Sequence, residues 1–158
     1  MNVKRVEDVV RQHPFFRGLS PEHLALVGTC AGNIRFDADA YIYHRGEPAD
    51  HFYLIETGRV ALNVESIDQS AITLDTVEPG EVLGWSWLFP PYQWQFSARC
   101  SEPVKAYVFD AACIRRKCET DNALGYQLMK RFSGIMLERL QAARLQLLDM
   151  YGPGTDET

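Results

Sequence analysis

Gly58-Arg59-Val60-Ala61-Leu62-Asn63-Val64-Glu65 carries the clearest structural signal in this 158-residue chain. Apolar residues occupy its alternate positions, which is the period of a β-strand with one face toward a core. The alternation returns further along the chain, and the residues predicted on the core face are Val60, Leu62, Val64, Ile72, Leu74, Val104, Ala106 and Val108. The repeated pattern indicates a sheet whose strands each have one buried and one wetter face.

Glycine and proline separate several such runs between residues 34 and 109. Short strands at near-regular spacing with glycine turns are typical of an antiparallel sandwich or barrel. A parallel sheet would instead require long helices between the strands. We therefore predict a mainly β domain with flanking α-helices (α+β), in which residues 34–109 form a jelly-roll-like antiparallel β-barrel.

Helical periods precede and follow this β region. Residues 1–33 are predicted to form N-terminal helices, one of which begins at Pro21 with Ser20 as its N-cap. Residues 110–151 are predicted to form a short helix and then a long C-terminal helix whose apolar stripe is Leu124, Leu128, Phe132, Ile135, Met136, Leu140, Ala143, Leu147 and Met150. We expect residues 1–151 to form one domain and residues 152–158 to form a tail.

The apolar stripe needs a partner surface, which is either the barrel of the same chain or the same helix of a second chain. We favour dimerisation, because the end of the helix extends past the last strand.

Composition narrows the class of protein. With 46% hydrophobic and 23% charged residues the chain reads as globular, and its net charge of −5 argues against binding to nucleic acid. Arg115-Arg116-Lys117 is interpreted as a solvated helix face. No apolar run is long enough to cross a bilayer, so we expect a cytoplasmic protein with no membrane contact. The four cysteines are predicted to be reduced, mostly buried thiols.

Motifs for catalysis and for metal binding are missing. Ser86 lies in Gly84-Trp85-Ser86-Trp87-Leu88, which lacks the second glycine of a nucleophile elbow. The four histidines form no HExxH pair, and neither an EF-hand nor a Walker loop is encoded. We expect neither an enzyme nor a metal site.

The loop from Gly80 to Ser97 is the strongest candidate for a binding site. Residues 85–89 are predicted to form a single helical turn, which Pro90 and Pro91 end. Unpaired backbone N–H groups at the start of such a turn are suited to an anion such as phosphate.

Four stretches share their order and spacing with a known family. They are Pro14-Phe15-Phe16-Arg17-Gly18-Leu19-Ser20; Gly46-Glu47 with Phe52-Tyr53-Leu54-Ile55 and Gly58-Arg59-Val60; Pro79-Gly80-Glu81-Val82-Leu83-Gly84; and Glu102-Pro103-Val104. In these the chain resembles the cyclic nucleotide-binding domain of the bacterial catabolite activator and of the regulatory subunits of cyclic AMP-dependent protein kinase. The resemblance implies a regulatory domain that binds cyclic AMP or cyclic GMP.

The family's phosphate-binding cassette departs here at two positions. Trp85 stands where the family places the Glu that holds the ribose hydroxyl, and Trp94 stands where it places the Arg that clamps the phosphate. Losing two charge-assisted hydrogen bonds weakens binding by about a hundredfold to ten-thousandfold. A rival register that takes Gly80-Glu81 as the cassette pair would keep the ribose contact. The resemblance assigns ligand binding to Gly84, Trp85, Ser86, Trp87, Trp94, Gln95 and Ser97.

Three hypotheses follow for the tryptophans. A cyclic nucleotide binds through the backbone at Ser86 and Trp87, with an arginine reaching its phosphate; the candidate arginines are Arg45, Arg59 and Arg99. Alternatively, the pocket takes a less anionic or more aromatic ligand. In the third hypothesis the tryptophans fill the cavity, and the domain is a dimerisation or protein-docking module.

A sensor would signal through the C-terminal helix. Occupancy near Trp85 would shift a hinge at residues 110–116 and reorient that helix toward a second copy or a partner protein. Only eight residues follow Met150, fewer than a helix-turn-helix domain needs, so we expect no direct DNA reading by this chain.

Overall fold

A computed structural model describes Asp8, residues 13–65 and residues 70–151 of the chain. The N-terminal helices predicted for residues 1–33 lie partly outside these described residues. In chain order the elements are a 3₁₀ turn Pro14–Phe16, α1 Pro21–Gly28, β1 Ala31–Phe36, β2 Tyr41–Tyr43, β3 His51–Thr57, β4 Val60–Glu65, β5 Ala71–Val77, β6 Val82–Leu83, a 3₁₀ turn Ser86–Leu88, β7 Ser97–Cys100, β8 Val104–Asp110, α2 Ala111–Thr120 and α3 Asn122–Tyr151.

The strands form two antiparallel four-stranded sheets, in the orders β1-β8-β3-β6 and β2-β7-β4-β5. The predicted class, mainly antiparallel β with flanking helices in a jelly-roll arrangement, is confirmed. Its closure into a barrel is not observed, since no ladder joins the two sheets among the described residues. At one edge β6 has only two residues and pairs with β3 alone, so that sheet ends there.

The boundary between helix and sheet lies earlier than the sequence predicts. The Ser20 hydroxyl accepts a hydrogen bond from the His23 N–H at 3.2 Å, which confirms the predicted N-cap of α1. The helix ends at Gly28, and β1 already begins at Ala31 because its pairing with β8 starts there, opposite Phe109.

The predicted core face of β5 is wrong. Ile72 and Leu74 are 48% and 43% exposed, whereas Asn63 on β4 is buried and accepts a hydrogen bond from the Thr73 hydroxyl at 3.1 Å. The cause is a register shift: Leu62 pairs with Asp75 and Asn63 with Thr73, so Leu74 is an extra residue in the ladder. Such a bulge interrupts the alternation of faces on which the prediction rests.

An aromatic cluster fills the core where the sheets meet the helices. Its members are fully buried: Phe16, Phe52, Trp87, Phe109 and Phe132. The Phe52 ring stacks on Phe109 with centroids 4.6 Å apart and on Trp87 at 4.9 Å. This cluster joins the first 3₁₀ turn, β3, β8, the second 3₁₀ turn and α3 into one core.

The prediction that all cysteines are reduced thiols is wrong for one pair. Cys30 and Cys113 form a disulfide, with Cα atoms 5.7 Å apart. The Asp110 N–H donates to the Cys30 carbonyl at 2.9 Å, and this contact brings the end of α1 beside the start of α2. Cys100 and Cys118 remain thiols, and burial raises the pKa of Cys100 to about 11.

The long helix α3 packs on the core with its first half only. The predicted stripe residues Leu124, Leu128 and Phe132 are fully buried, whereas Leu140 and Leu147 are about half exposed. Within the described residues no helix is both long and apolar enough to span a membrane.

Candidate ligand-binding site

The site begins at the 3₁₀ turn Ser86–Leu88, which confirms the helical turn predicted for residues 85–89. Gly84 precedes it with φ +100°, a left-handed conformation that glycine adopts without a Cβ penalty. The Trp87 indole N–H donates to the Gly84 carbonyl at 3.2 Å and holds the turn against the end of β6.

Trp94 covers Gly84. A Cβ atom placed on Gly84 would lie 2.6 Å from Cη2 of the Trp94 indole. The Trp94 indole also stacks on Tyr43. The two ring centroids lie 3.7 Å apart, and the angle between the ring planes is 7°. The indole is therefore held between a strand and the cassette, in space that the family resemblance gives to an arginine and a phosphate.

Trp87 has a structural position rather than a ligand-binding one. Its side chain is 1% exposed and contacts Phe52 and Phe132, the latter with ring centroids 5.3 Å apart. It does not line the cavity described next. Trp87 is thus part of the hydrophobic core.

A cavity of about 320 Å³ remains beside the cassette, between the sheets and α3. It is lined by Tyr43, Leu62, Leu74, Asp75, Val77, Val82, Leu83, Gly84, Trp85, Ser86, Trp94, Gln95, Phe96, Arg139, Ala143 and Gln146. The volume is sufficient for a small organic molecule. Of the predicted site residues, the structure brings together Gly84, Trp85, Ser86, Trp94 and Gln95 around this cavity.

Ser97 lies outside the cavity. Its hydroxyl accepts a hydrogen bond from the Arg45 N–H at 3.0 Å and so joins the start of β7 to the turn after β2. This hydrogen bond accounts for a small hydroxyl residue at position 97 without any contact to a ligand.

The arginines considered for a phosphate contact do not line the cavity. Arg59 forms ion pairs with Glu78 and Glu102 at 2.7 Å each. Arg99 is paired with Asp39. Both cations are engaged with carboxylates on the surface, so the structure gives no support to their reaching a ligand here.

Arg139 of α3 supplies the positive charge of the cavity, and no sequence motif identified it as a site residue. Its Nη1 donates to a carboxylate oxygen of Asp75, and its guanidinium lies over the Trp85 ring, 5.7 Å from the centroid. Arg139, Ala143 and Gln146 follow one another at helical spacing on one side of α3. The helical spacing of these three residues is the signal that the sequence offers, but it does not show which part of the fold this side of α3 faces.

Arg115 is a second missed residue. Its Nη1 donates to the Trp87 carbonyl at 2.6 Å, and its guanidinium lies 4.4 Å from the Tyr92 ring centroid. The interpretation of Arg115-Arg116-Lys117 as a solvated face is therefore wrong for Arg115. A tertiary hydrogen bond between α2 and the cassette is invisible to a pattern of local charge.

Burial further favours the neutral form of the Tyr43 phenol in the cavity wall. Desolvation raises the pKa of Tyr43 far above its ordinary value, the Tyr53 phenol raises it further, and the Arg139 cation opposes the shift. Tyr43 thus acts as an apolar wall with a neutral hydroxyl at physiological pH.

The arrangement is suited to binding. Aromatic walls surround a single paired cation, and the described part of the chain contains no cluster of three or more histidine, cysteine or acidic residues placed to hold a metal. Ligand contacts would come from both the cassette and α3.

Comparisons with known proteins agree with this architecture. A putative cyclic nucleotide-binding protein from Geobacter metallireducens GS-15 superposes with a TM-score of 0.74 at 28% identity, over 89% of this chain and 98% of that one. A cyclic nucleotide-binding domain from Methylobacillus flagellatus KT superposes with a TM-score of 0.77 at 18% identity, over 94% and 83%.

Sequence relatives point the same way. The chain is 21% identical over 145 residues to a CRP-like cAMP-activated global transcriptional regulator of Mycobacterium tuberculosis (strain ATCC 25618 / H37Rv), which is 92% of this chain and 63% of the relative. The chain thus spans less than two thirds of that relative's length. The model of the cyclic nucleotide-binding domain matches residues 33–121, which is more than half of the sequence. The chain belongs to the family of cyclic nucleotide-binding domains.

Proposed function

We propose that this chain is a non-catalytic regulatory domain that senses a small ligand in the cavity and signals through α3. The observation that carries the proposal is the composition of the cavity wall. Trp85 and Ser86 of the cassette face Arg139, Ala143 and Gln146 of α3 across the same space. A ligand that contacts both elements favours one arrangement of them over others, which is the requirement for a conformational signal.

The distal part of α3 offers a route for that signal. Five of its leucines are about half exposed or more: Leu137, Leu140, Leu145, Leu147 and Leu148. At about 100° per residue they fall on one side of the helix, and the cavity residues Arg139, Ala143 and Gln146 fall on the other. A rotation of α3 by a ligand therefore moves the leucine surface as well.

A second copy of the chain is the partner proposed for the leucine surface. Exposed leucines of one helix bury apolar area most simply against the same face of a symmetry-related helix. In this proposal residues 1–151 act as one unit, and ligand occupancy sets the geometry of the pair.

Protein docking with a filled pocket is the second candidate function. The leucine surface favours it, because a docking module also needs an exposed apolar face. The cavity argues for the sensor, since Trp87 packs in the core and Trp94 stacks on Tyr43 at the cavity wall, which leaves about 320 Å³ beside Trp85.

A thermal-shift titration tests the sensor. The probes are cyclic AMP, cyclic GMP and the uncharged dye N-phenyl-1-naphthylamine, since binding to the native state raises the melting temperature. Ala143→Trp places a large side chain at the cavity wall and should abolish the shift, whereas Ala142→Trp at the preceding residue, which does not line this cavity, should keep it. Hydrogen exchange at residues 137–148 should change with occupancy. No shift with any probe would leave the docking function.

Light scattering after gel filtration tests the pairing. We expect a dimer, and Leu140→Glu should yield a monomer because it places a charge on the leucine surface. Ala142→Glu lies outside that surface and serves as the control. A monomeric parent protein at high concentration would contradict the pairing.

A further inference from the structure

The residues that line the cavity are mainly apolar, and four of them are aromatic. The aromatic residues are Tyr43, Trp85, Trp94 and Phe96, and the aliphatic ones include Leu62, Leu74, Val77, Val82 and Leu83. A ligand with flat or aliphatic surface gains by burying it here, and the aromatic rings add stacking. The space is thus suited to a ring system rather than to a sugar phosphate.

The charges at the cavity do not favour an anion. All the lining residues are described, and among them Arg139 is the one cation and Asp75 the one carboxylate. Asp75 already pairs with Arg139 Nη1, and Glu81 lies 4.0 Å from Nη2. An entering phosphate would meet two carboxylates around one guanidinium, so its desolvation would be poorly compensated.

The position in front of Gly84 is also closed to a phosphate. The Trp94 indole approaches the Cβ position of Gly84 to 2.6 Å and is held from behind by Tyr43. A phosphate could reach the backbone there only if the indole left its stack. An aromatic ligand needs no such rearrangement, because it would use the indole as a wall.

One donor of Arg139, which lines the cavity, is unsatisfied. Among the described residues, Arg139 Nε is buried and has no hydrogen-bond partner. A buried N–H without an acceptor is unfavourable, and a ligand oxygen or ring nitrogen that accepts from it would remove that penalty.

We propose that the cavity binds an uncharged, mainly aromatic molecule that carries one hydrogen-bond acceptor, and that it discriminates against anions, including cyclic nucleotides. The acceptor pairs with the Arg139 guanidinium, whose Nε lacks a partner, and the rings lie between Trp85 and Trp94. The inference rests on the proposed sensor function and names the class of ligand that the sensor takes.

Three naphthalenes of nearly equal shape test each element of this inference. They are 2-acetylnaphthalene, an uncharged acceptor; 2-isopropylnaphthalene, which has no acceptor; and 2-naphthoate, an anion. Displacement of N-phenyl-1-naphthylamine fluorescence gives their affinities. We expect 2-acetylnaphthalene to bind at least about tenfold more tightly than 2-naphthoate and severalfold more tightly than 2-isopropylnaphthalene.

Arg139→Met assigns the preference to the guanidinium. In this variant 2-acetylnaphthalene and 2-isopropylnaphthalene should bind equally, whereas Arg144→Met, an exposed arginine of the same helix that does not line the cavity, should keep the parent preference. The ranking in the parent protein stands as a test even if Arg139→Met fails to fold.

The outcomes separate the ligand class from the function. Tightest binding of 2-naphthoate or of cyclic AMP would overturn the inference and leave the sensor function in place. Equal binding of the acetyl and isopropyl compounds by the parent protein would overturn the role of Arg139. If neither the naphthalenes nor the cyclic nucleotides bind, the sensor function fails together with the inference.

Discussion

Arg115 Nη1 of α2 donates a hydrogen bond to the main-chain carbonyl of Trp87 at 2.6 Å. The bond ties the short helix after β8 to the 3₁₀ turn of the cassette. Trp87 itself is anchored in the core, so the cassette and α2 share one fixed point. In the proposed sensor, a displacement of the cassette by a ligand would be passed to α2 through this bond, and from α2 to α3.

Removing this bond should loosen the cassette. For Arg115→Ala we expect a loss of about 1 to 2 kcal/mol in the free energy of unfolding, because a charge-assisted hydrogen bond is lost. The amide hydrogens of Leu88 and Phe89 should exchange faster with deuterium. Arg116→Ala, at the exposed neighbouring position, is the control and should leave both unchanged. Equal exchange in the two variants would show that Arg115 does not support the turn.

Gly84 and Gly80 form a matched pair for testing the contact with Trp94. Their φ angles are +100° and +90°, but a Cβ on Gly80 meets nothing within 4 Å, whereas one on Gly84 meets the Trp94 indole at 2.6 Å. Gly80→Ala should destabilise the fold by about 1 kcal/mol through backbone strain alone. Gly84→Ala should cost about 2 to 4 kcal/mol, because the indole must also move. Urea denaturation measures both, and equal losses would contradict the close contact.

Local patterns predicted much of this fold. The N-cap at Ser20, the turn at residues 85–89 and the short strands were all readable because neighbouring residues determine them. The face of β5 was not, since the extra residue Leu74 in its ladder depends on pairing with β4.

The parts of the site that the sequence did not predict were missed for one physical reason. Arg139 lines the cavity beside Asp75, to which it donates a hydrogen bond and which lies 64 residues earlier in the chain. The Cys30–Cys113 disulfide spans 83 residues. Contacts between distant segments are set by how the elements pack, and a single sequence carries no periodic signal for them. The cassette residues were found because the family resemblance places them.

Protonation of His13 should weaken the fold in mild acid. Desolvation lowers the pKa of His13 below 6.5, against a smaller opposing effect of the Gly80 backbone, and its Nδ1 accepts a hydrogen bond from the Phe15 N–H at 3.0 Å. The folded state thus binds a proton less readily than the unfolded state. Stability from His13 is complete above pH 6.5 and falls as the pH drops through the window between 6.5 and the lowered pKa.

His13→Asn keeps a side-chain acceptor for Phe15 but does not titrate in this range. The free energy of unfolding of this variant should fall less between pH 7 and pH 5 than that of the parent protein. Urea titrations at a series of pH values measure the difference. Parallel curves for the two proteins would show that His13 does not contribute to acid sensitivity.

Opening the Cys30–Cys113 disulfide should destabilise the domain strongly. The bond closes a loop of 83 residues, and in the chain-entropy account such a loop contributes about 3 to 5 kcal/mol. Dithiothreitol should lower the melting temperature of the parent protein and leave a Cys30→Ser, Cys113→Ser variant unaffected. Cys118→Ser, which removes a free thiol, should keep the full response to dithiothreitol.

Alkylation of the denatured, unreduced protein gives the direct count. Two modified thiols, Cys100 and Cys118, are expected when the bond is formed, and four when it is absent. The same count in protein taken from cells tests the predicted cytoplasmic location, because a reducing compartment keeps such cysteines in the thiol form. Four thiols would mean that α1 and α2 are held together there without a covalent link, by packing, by the hydrogen bond from Asp110 to Cys30 and by the contact between His23 of α1 and Asp121 at the end of α2. The hinge at the start of α2 would then be less constrained than in the oxidised protein.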